Sequence, residues 1–189
     1  MKKWIPSQVY QDEVHAASVL AFLVSQYRTD VDPRTSPYVL GIELKTTNEL
    51  VGHVGLSPLQ GDVEVGFAVG QSQQRKGIAT EAVHALSEWA AARYPETRIL
   101  GITARENSAS QRVLLRAGFE RKAERTMLFQ GLEQPVVVFA YSSQRHKYAA
   151  REAQSSSSWL STTASRHCVH SYLVCRQPSR RFVRDNSCA

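Results

Sequence analysis

The chain has 189 residues, 42% of them hydrophobic, and a formal net charge of +6. That length can bury one modest core plus an extension; no apolar run is long enough to span a bilayer, and Met1 to Pro6 lead into no secretory-type apolar stretch, so a cytoplasmic protein with no membrane partner is expected. Residues 1–145 carry 16 Lys and Arg against 15 Asp and Glu, and residues 146–189 carry seven against two, so a basic charge that could suit nucleic acid belongs to the tail alone.

In chain order, residues 12–27 place Val14, Ala17, Val19, Leu20, Leu23 and Val24 at helical spacings, which predicts an amphipathic helix. A turn-rich loop follows over 30–37. Strands are expected at 38–45 and 50–56, joined by Thr46-Thr47-Asn48-Glu49, and a third at 62–69. A helix over about 79–93 sets Ala82, Leu86, Trp89 and Ala90 on one face and ends before Pro95. A strand at 99–104 precedes a helix with Ser108 as N-cap, Gln111 three residues on and Gly118 at its stop. Strands at 121–129 and 135–141 flank a Gly131-Leu132-Glu133-Gln134 turn. This order predicts an α/β fold: a mixed, mostly antiparallel sheet with helices on its faces.

After Tyr141 the composition turns to serine runs and arginines, so the chain divides into a domain over 1–145 and a basic, Ser-rich tail over 146–189 that is expected to be disordered or peripheral. All three cysteines, Cys168, Cys175 and Cys188, lie in the tail, which argues against thiol catalysis or a disulfide-stapled core in the domain. With His167 and His170 their spacing fits no standard zinc pattern, and no metal is expected.

The most informative segment is Gln74-Arg75-Lys76-Gly77-Ile78-Ala79-Thr80, between a strand and a helix start. The leading amides of a helix lack internal partners and the helix dipole is positive there, so backbone donors, two cations and a side-chain-free Gly77 suit a phosphate or pyrophosphate. Such a loop can equally be a solvated turn; its neighbours narrow the choice.

Glu64-Val65-Gly66-Phe67 precedes the loop, Gly77 to Ala82 opens the helix, Asn107-Ser108-Ala109-Ser110 forms a turn, and Gly118-Phe119 closes the second helix. These segments together resemble the GNAT superfamily of acyl-CoA-dependent N-acyltransferases, whose signature Gln/Arg-x-x-Gly-x-Gly/Ala is matched by Gln74 to Ala79. The closer likeness is to the branch of ribosomal-protein N-terminal acetyltransferases (RimJ/RimL-like). It covers about residues 4–142 and omits the family's first strand and first helix, which help form the acceptor side of the cleft.

The resemblance implies a GNAT fold, acetyl-CoA as acyl donor and a primary amine as acceptor, with direct transfer in a ternary complex. Phe67, Ala68 and Val69 would offer backbone groups to the pantetheine arm. The amides of Gln74, Arg75, Lys76, Gly77, Ile78, Ala79 and Thr80 would hold the pyrophosphate, and Asn107 would hydrogen-bond the arm. Transfer needs a neutral amine, a polarised carbonyl and a proton for the departing thiolate. Glu64 is the candidate base and Ser110 the candidate proton donor; each could instead be an ordinary strand carboxylate or first-turn serine. His53 is an outside candidate base, and Arg112 and Arg116 read as exposed helix charges within reach of the nucleotide. A protein or peptide N-terminus is the expected acceptor. A polyamine, amino acid derivative or aminoglycoside acetyltransferase, or an acyl-CoA-binding module without turnover, stay open as alternatives. A homodimer stays open, and no nucleic-acid partner is expected unless through the basic tail.

Overall fold

The computed structural model describes residues 4–5, 11–26, 32–142, 173–177 and 180–182. Helix α1 (Glu13–Gln26) opens with Asp12, whose Oδ1 accepts from the His15 amide at 2.7 Å. The expected helix therefore forms, yet Val14, Leu20 and Phe22 are all more than half exposed. Helical spacing decides secondary structure, whereas burial also needs an opposing element.

Strands β1 (Tyr38–Leu44), β2 (Leu50–Leu59) and β3 (Asp62–Val69) make an antiparallel meander. After helix α2 (Ile78–Arg93), β4 (Ile99–Ala104) returns parallel to β3. Helix α3 (Ser108–Arg116) leads into the long hairpin β5 (Phe119–Phe129) and β6 (Leu132–Tyr141), and β6 pairs antiparallel with β4. Two tail segments, β7 (Leu173–Gln177) and β8 (Arg180–Phe182), extend the sheet along the outer edge of β1. The strand order is β5-β6-β4-β3-β2-β1-β7-β8, with β3 and β4 the parallel pair among the described residues. Instead of lying wholly apart, the Ser-rich tail thus contributes two strands at the sheet margin. Trp159, His167, Cys168, His170 and Cys188 fall outside the described residues.

Two turns differ from expectation. Gln60-Gly61 and Gln130-Gly131 adopt consecutive left-handed conformations, so β2 runs on to Leu59 and β6 starts at Leu132 inside the expected turn. Tight pairs of this kind match the strand twist and let hairpins close in two residues.

Side chains alternate across each strand. One sheet face presents Val54, Leu56, Val63, Val65, Ile99 and Phe139 to Ile78, Ala82, Val83, Leu86 and Ala90 of α2 and to Leu114 of α3. Trp89 stands partly buried at the edge of this core and stacks on Tyr38 with ring centroids 5.1 Å apart. The other face has a smaller cluster of Ile102, Val136 and Val138, flanked by Leu59, Met127 and Phe129.

Candidate functional site

The parallel strands β3 and β4 pair only at Val63 with Ile99 and Glu64 with Leu100. Arg98 pins that closed end: its guanidinium reaches Asp62 Oδ2 at 2.6 Å, its amide donates to Asp62 Oδ1 at 3.1 Å, and its carbonyl accepts from the Val63 amide at 3.1 Å. Beyond Glu64 the strands part. Val65 to Val69 keep their β2 partners and Gly101 to Ala104 keep their β6 partners, while no β3–β4 ladder joins the two arms. The result is a V whose facing edges carry main-chain polar groups outside any ladder. Such groups need partners when buried, so the cleft suits a ligand that itself carries amides. Ala68 and Val69 are buried on the β3 arm and Phe67 is half-buried beside them. On the β4 arm the buried Thr103 Oγ1 has no hydrogen-bond partner among the described residues.

The anion-binding candidate lies past the open end of the β3 arm. A 3-10 turn, Gln71–Gln73, leads to Gln74, whose Nε2 donates back to Val69 O at 3.0 Å and tethers the loop to the strand. Arg75 (φ +63) and Gly77 (φ +84) are left-handed, and Gly77 caps α2 through its backbone alone. The Glu81 amide, bonded to Gly77 O at 3.0 Å, is the first that the helix satisfies, so the amides before it are available to an anion. Residues 74–77 are exposed, and Lys76 Nζ rests on Gln73 Oε1 at 2.8 Å.

Glu64 stands at the closed end of the V on the face opposite α2 and α3, since its neighbours Val63 and Val65 point into the helix-covered core. Burial pushes its carboxyl up to about 7. His53, beside Ala68 on the same face, is held below its ordinary value by burial and is therefore neutral at pH 7. Along β3 the two groups lie four residues apart, about 13 Å of strand, so they share no proton. Glu64 is thus the titrating group at the V and His53 is not its partner.

At the end of the β4 arm, Asn107 is the N-cap of α3: its Oδ1 accepts from the Ser110 amide at 3.2 Å. The capping box expected at Ser108 does not form, because Gln111 Nε2 donates to the carbonyls of Arg105 at 2.8 Å and Ala104 at 3.3 Å. Ser110 is half-buried in the first turn of α3. Arg112 is exposed and reaches Ser108 Oγ at 3.3 Å along its own helix, and Arg116 is exposed on the last turn.

The fold therefore collects Glu64 at the closed end, Phe67 to Val69 on one arm, Gln74 to Thr80 past that arm, and Asn107 with Ser110 after the other. Sequence reasoning missed Thr103, for which the sequence carries no signal, and the openness of Gly66, for which a glycine inside a strand was the available signal. A separate open groove of about 370 Å³, lined by Asp32, Arg34, Arg93, Tyr94, Pro95, Glu96 and Thr97, lies at the far end of α2. Its aromatic floor is already covered by Arg34, 4.8 Å from the Tyr94 ring centre and held by Asp32, so it is a loop anchor remote from the V.

A family model described as "Acetyltransferase (GNAT) domain" matches residues 1–120. Over 78 residues the chain is 36% identical to the uncharacterized N-acetyltransferase YjdG of Bacillus subtilis, covering 40% of this chain and 46% of that protein. The matched stretch thus spans about half the length of that relative. A solved GNAT-family acetyltransferase from Bacillus anthracis superposes with a TM-score of 0.58 at 22% identity, covering 74% of this chain and 79% of the other. A Vibrio cholerae structure named as a ribosomal-protein-serine acetyltransferase superposes with a TM-score of 0.51 at 26% identity, covering 68% of this chain and 71% of the other.

Proposed function

The chain belongs to the GNAT acetyltransferase family, and on that premise we propose that it moves an acetyl group from acetyl-CoA to the N-terminal amine of a protein or peptide. The observation that carries this reading is the V between β3 and β4, with Glu64 at its closed end and a helix start past its open one. In the proposed complex the pantetheine amides bond the free edge of the β3 arm at Phe67, Ala68 and Val69. The pyrophosphate sits on the amides from Arg75 to Thr80, beside the Arg75 and Lys76 side chains; the Gln74 amide, expected to join them, is already taken by Gln71 O at 3.4 Å. Asn107 spends its oxygen on the helix cap, so it would serve the donor through its amide nitrogen.

Glu64 takes a proton from the amine, whose lone pair then forms the N–C bond at the thioester carbonyl. Main-chain amides of the β3 arm stabilise the oxyanion, the C–S bond breaks, Ser110 Oγ gives its proton to the departing sulfur, and the extra proton still on the acylated nitrogen passes through solvent to the seryl oxygen, which restores Ser110. The titration of Glu64 supports an α-amine over an alkyl amine. A base near 7 removes a proton from an α-amino group of pKa about 8 with little uphill cost, and roughly a quarter of such amines are already neutral at pH 7.5. An alkyl amine of pKa about 10.4 is neutral only about one time in a thousand at that pH, so it suits a stronger base. The Vibrio cholerae likeness supports the same acceptor class.

The test follows CoA thiol release from acetyl-CoA with peptides bearing free N-termini, the same peptides blocked at the N-terminus but carrying lysine, spermidine and an aminoglycoside. Transfer to free N-termini, lost by a factor of roughly 10² to 10⁴ in Glu64→Gln, is expected. A folded protein that binds acetyl-CoA and releases no thiol with any amine would make it an acyl-CoA-binding module instead.

A further inference from the structure

Gly66 is the one exposed residue between the half-buried Glu64 and the buried Ala68 on their shared face of β3. Neither packing nor backbone conformation calls for glycine there: among the described residues a Cβ built on Gly66 meets no heavy atom within 4 Å, and its φ lies outside the left-handed region. Its cross-strand partner Gly55 is the opposite case, since a Cβ there would stand 2.9 Å from both Tyr38 O and Val39 Cγ2. A glycine inside a strand weakens it, and where folding gives no reason for one, the close approach of another chain or ligand does.

The position is specific. Gly66 lies two residues beyond Glu64, the last β3 residue paired with β4, which is about 6.6 Å along the strand and just past the closed end, where the arms begin to part. Glu64 stands on one side of the opening and Ala68 on the other, with Gly55 across the strand pair. A group lying over Gly66 has its end beside the Glu64 carboxyl. Resting on the acyl-transfer reading above, we propose that Gly66 is the specificity-determining residue of the acceptor side: its absent side chain leaves a track for the extended backbone of a peptide whose N-terminal amine meets Glu64. An extended main chain is the occupant that fits, because it can lie flat on a glycine where a branched skeleton would need a deeper pocket.

The experiment compares binding of CoA with binding of a conjugate that joins the CoA sulfur, through a methylene carbonyl, to the α-amine of an alanine-led tripeptide. Wild type, Gly66→Ala and Gly66→Val are titrated calorimetrically, with melting curves confirming that each variant folds. Wild type should bind the conjugate more tightly than CoA. Gly66→Val should bind CoA within about twofold of wild type and lose about 30-fold or more on the conjugate, with Gly66→Ala between them, because the added methyls occupy the track and nothing else. A Val variant that keeps its conjugate affinity overturns the proposal, as does one that loses CoA and conjugate equally. Wild type that binds CoA but gains nothing from the peptide arm overturns it too while leaving the donor site intact. Wild type that fails to bind CoA overturns the acyl-transfer reading first, and the track with it.

Discussion

Replacing Glu64 by Gln removes a charge that the fold holds at a cost, so the same change should harm catalysis and raise stability. The carboxyl titrates at its ordinary 4.5 in an unfolded chain and at about 7 in the fold, because burial disfavours the charged form. Below pH 4.5 both states carry the proton and Glu64 adds no pH dependence. Between 4.5 and 7 the native state keeps a proton that the unfolded state has released, so stability falls as pH rises; above 7 both are ionised and the loss is complete. At 1.36 kcal/mol per pH unit the full effect is about 3.4 kcal/mol, or roughly 7–14 °C in Tm for a chain of this size. Urea unfolding of wild type and Glu64→Gln from pH 4.5 to 8.5, without acetyl-CoA, measures it as a difference, and the other titrating groups cancel. The variant should gain on wild type by about 3 kcal/mol across that range while losing acetyl transfer. A pH-independent difference between the two proteins would refute the burial argument, and with it the case for Glu64 as a base working near pH 7.

Other perturbations separate the remaining parts of the site. Gly77→Ala forces a side chain into a left-handed conformation at φ +84, so it should cost about 1–2 kcal/mol of stability and weaken acetyl-CoA at least about tenfold by calorimetry. His53, held below its ordinary 6.5 by burial, contributes stability that is present above pH 6.5 and lost as pH falls through its folded value. His53→Gln should therefore flatten the acid limb of a melting-temperature profile and leave the limb set by Glu64 unchanged. Asn107→Ala removes the α3 cap and should lower stability by about 1 kcal/mol in urea, while Asn107→Ser restores most of it. If Asn107 also holds the donor, neither variant recovers full acetyl-CoA affinity.

Legibility in the sequence followed the range of the physics. Helix α2 and strands β1, β3 and β4 were placed within a residue or so, because Ala82, Leu86 and Ala90 carry the helical period and Pro95 ends it. The caps were less legible. Ser108 and Gln111 have the capping-box spacing, but Asn107 precedes them and its side-chain oxygen takes the Ser110 amide, which makes Asn107 the N-cap. Hairpin ends slipped because Gln60 and Gln130 adopt left-handed conformations for which glutamine has no preference. The exposure of Val14, Leu20 and Phe22 on α1 was invisible, since an apolar stripe does not say whether a partner covers it. The entry of 173–177 and 180–182 into the sheet was equally hidden in a serine- and arginine-rich tail.

The V itself could be expected only through resemblance, and the reason is instructive. Strand divergence depends on where pairing stops, and nothing in Val65 to Val69 distinguishes a strand with one ladder from a strand with two. What the residues do record is the consequence. The β3 arm is apolar on its helix-covered face, yet the other face bears a carboxylate followed by a glycine, a pattern that weakens the strand twice. Each choice loses stability if the strand exists only to complete the sheet. Together they place a proton acceptor beside open space at the point where two strands separate, and Asp62 with Arg98 closes the other end so that the divergence starts at Glu64 and not earlier. Stability surrendered at Glu64 and Gly66 is therefore the mark of function on this strand, as expected where local structure departs from what folding alone favours.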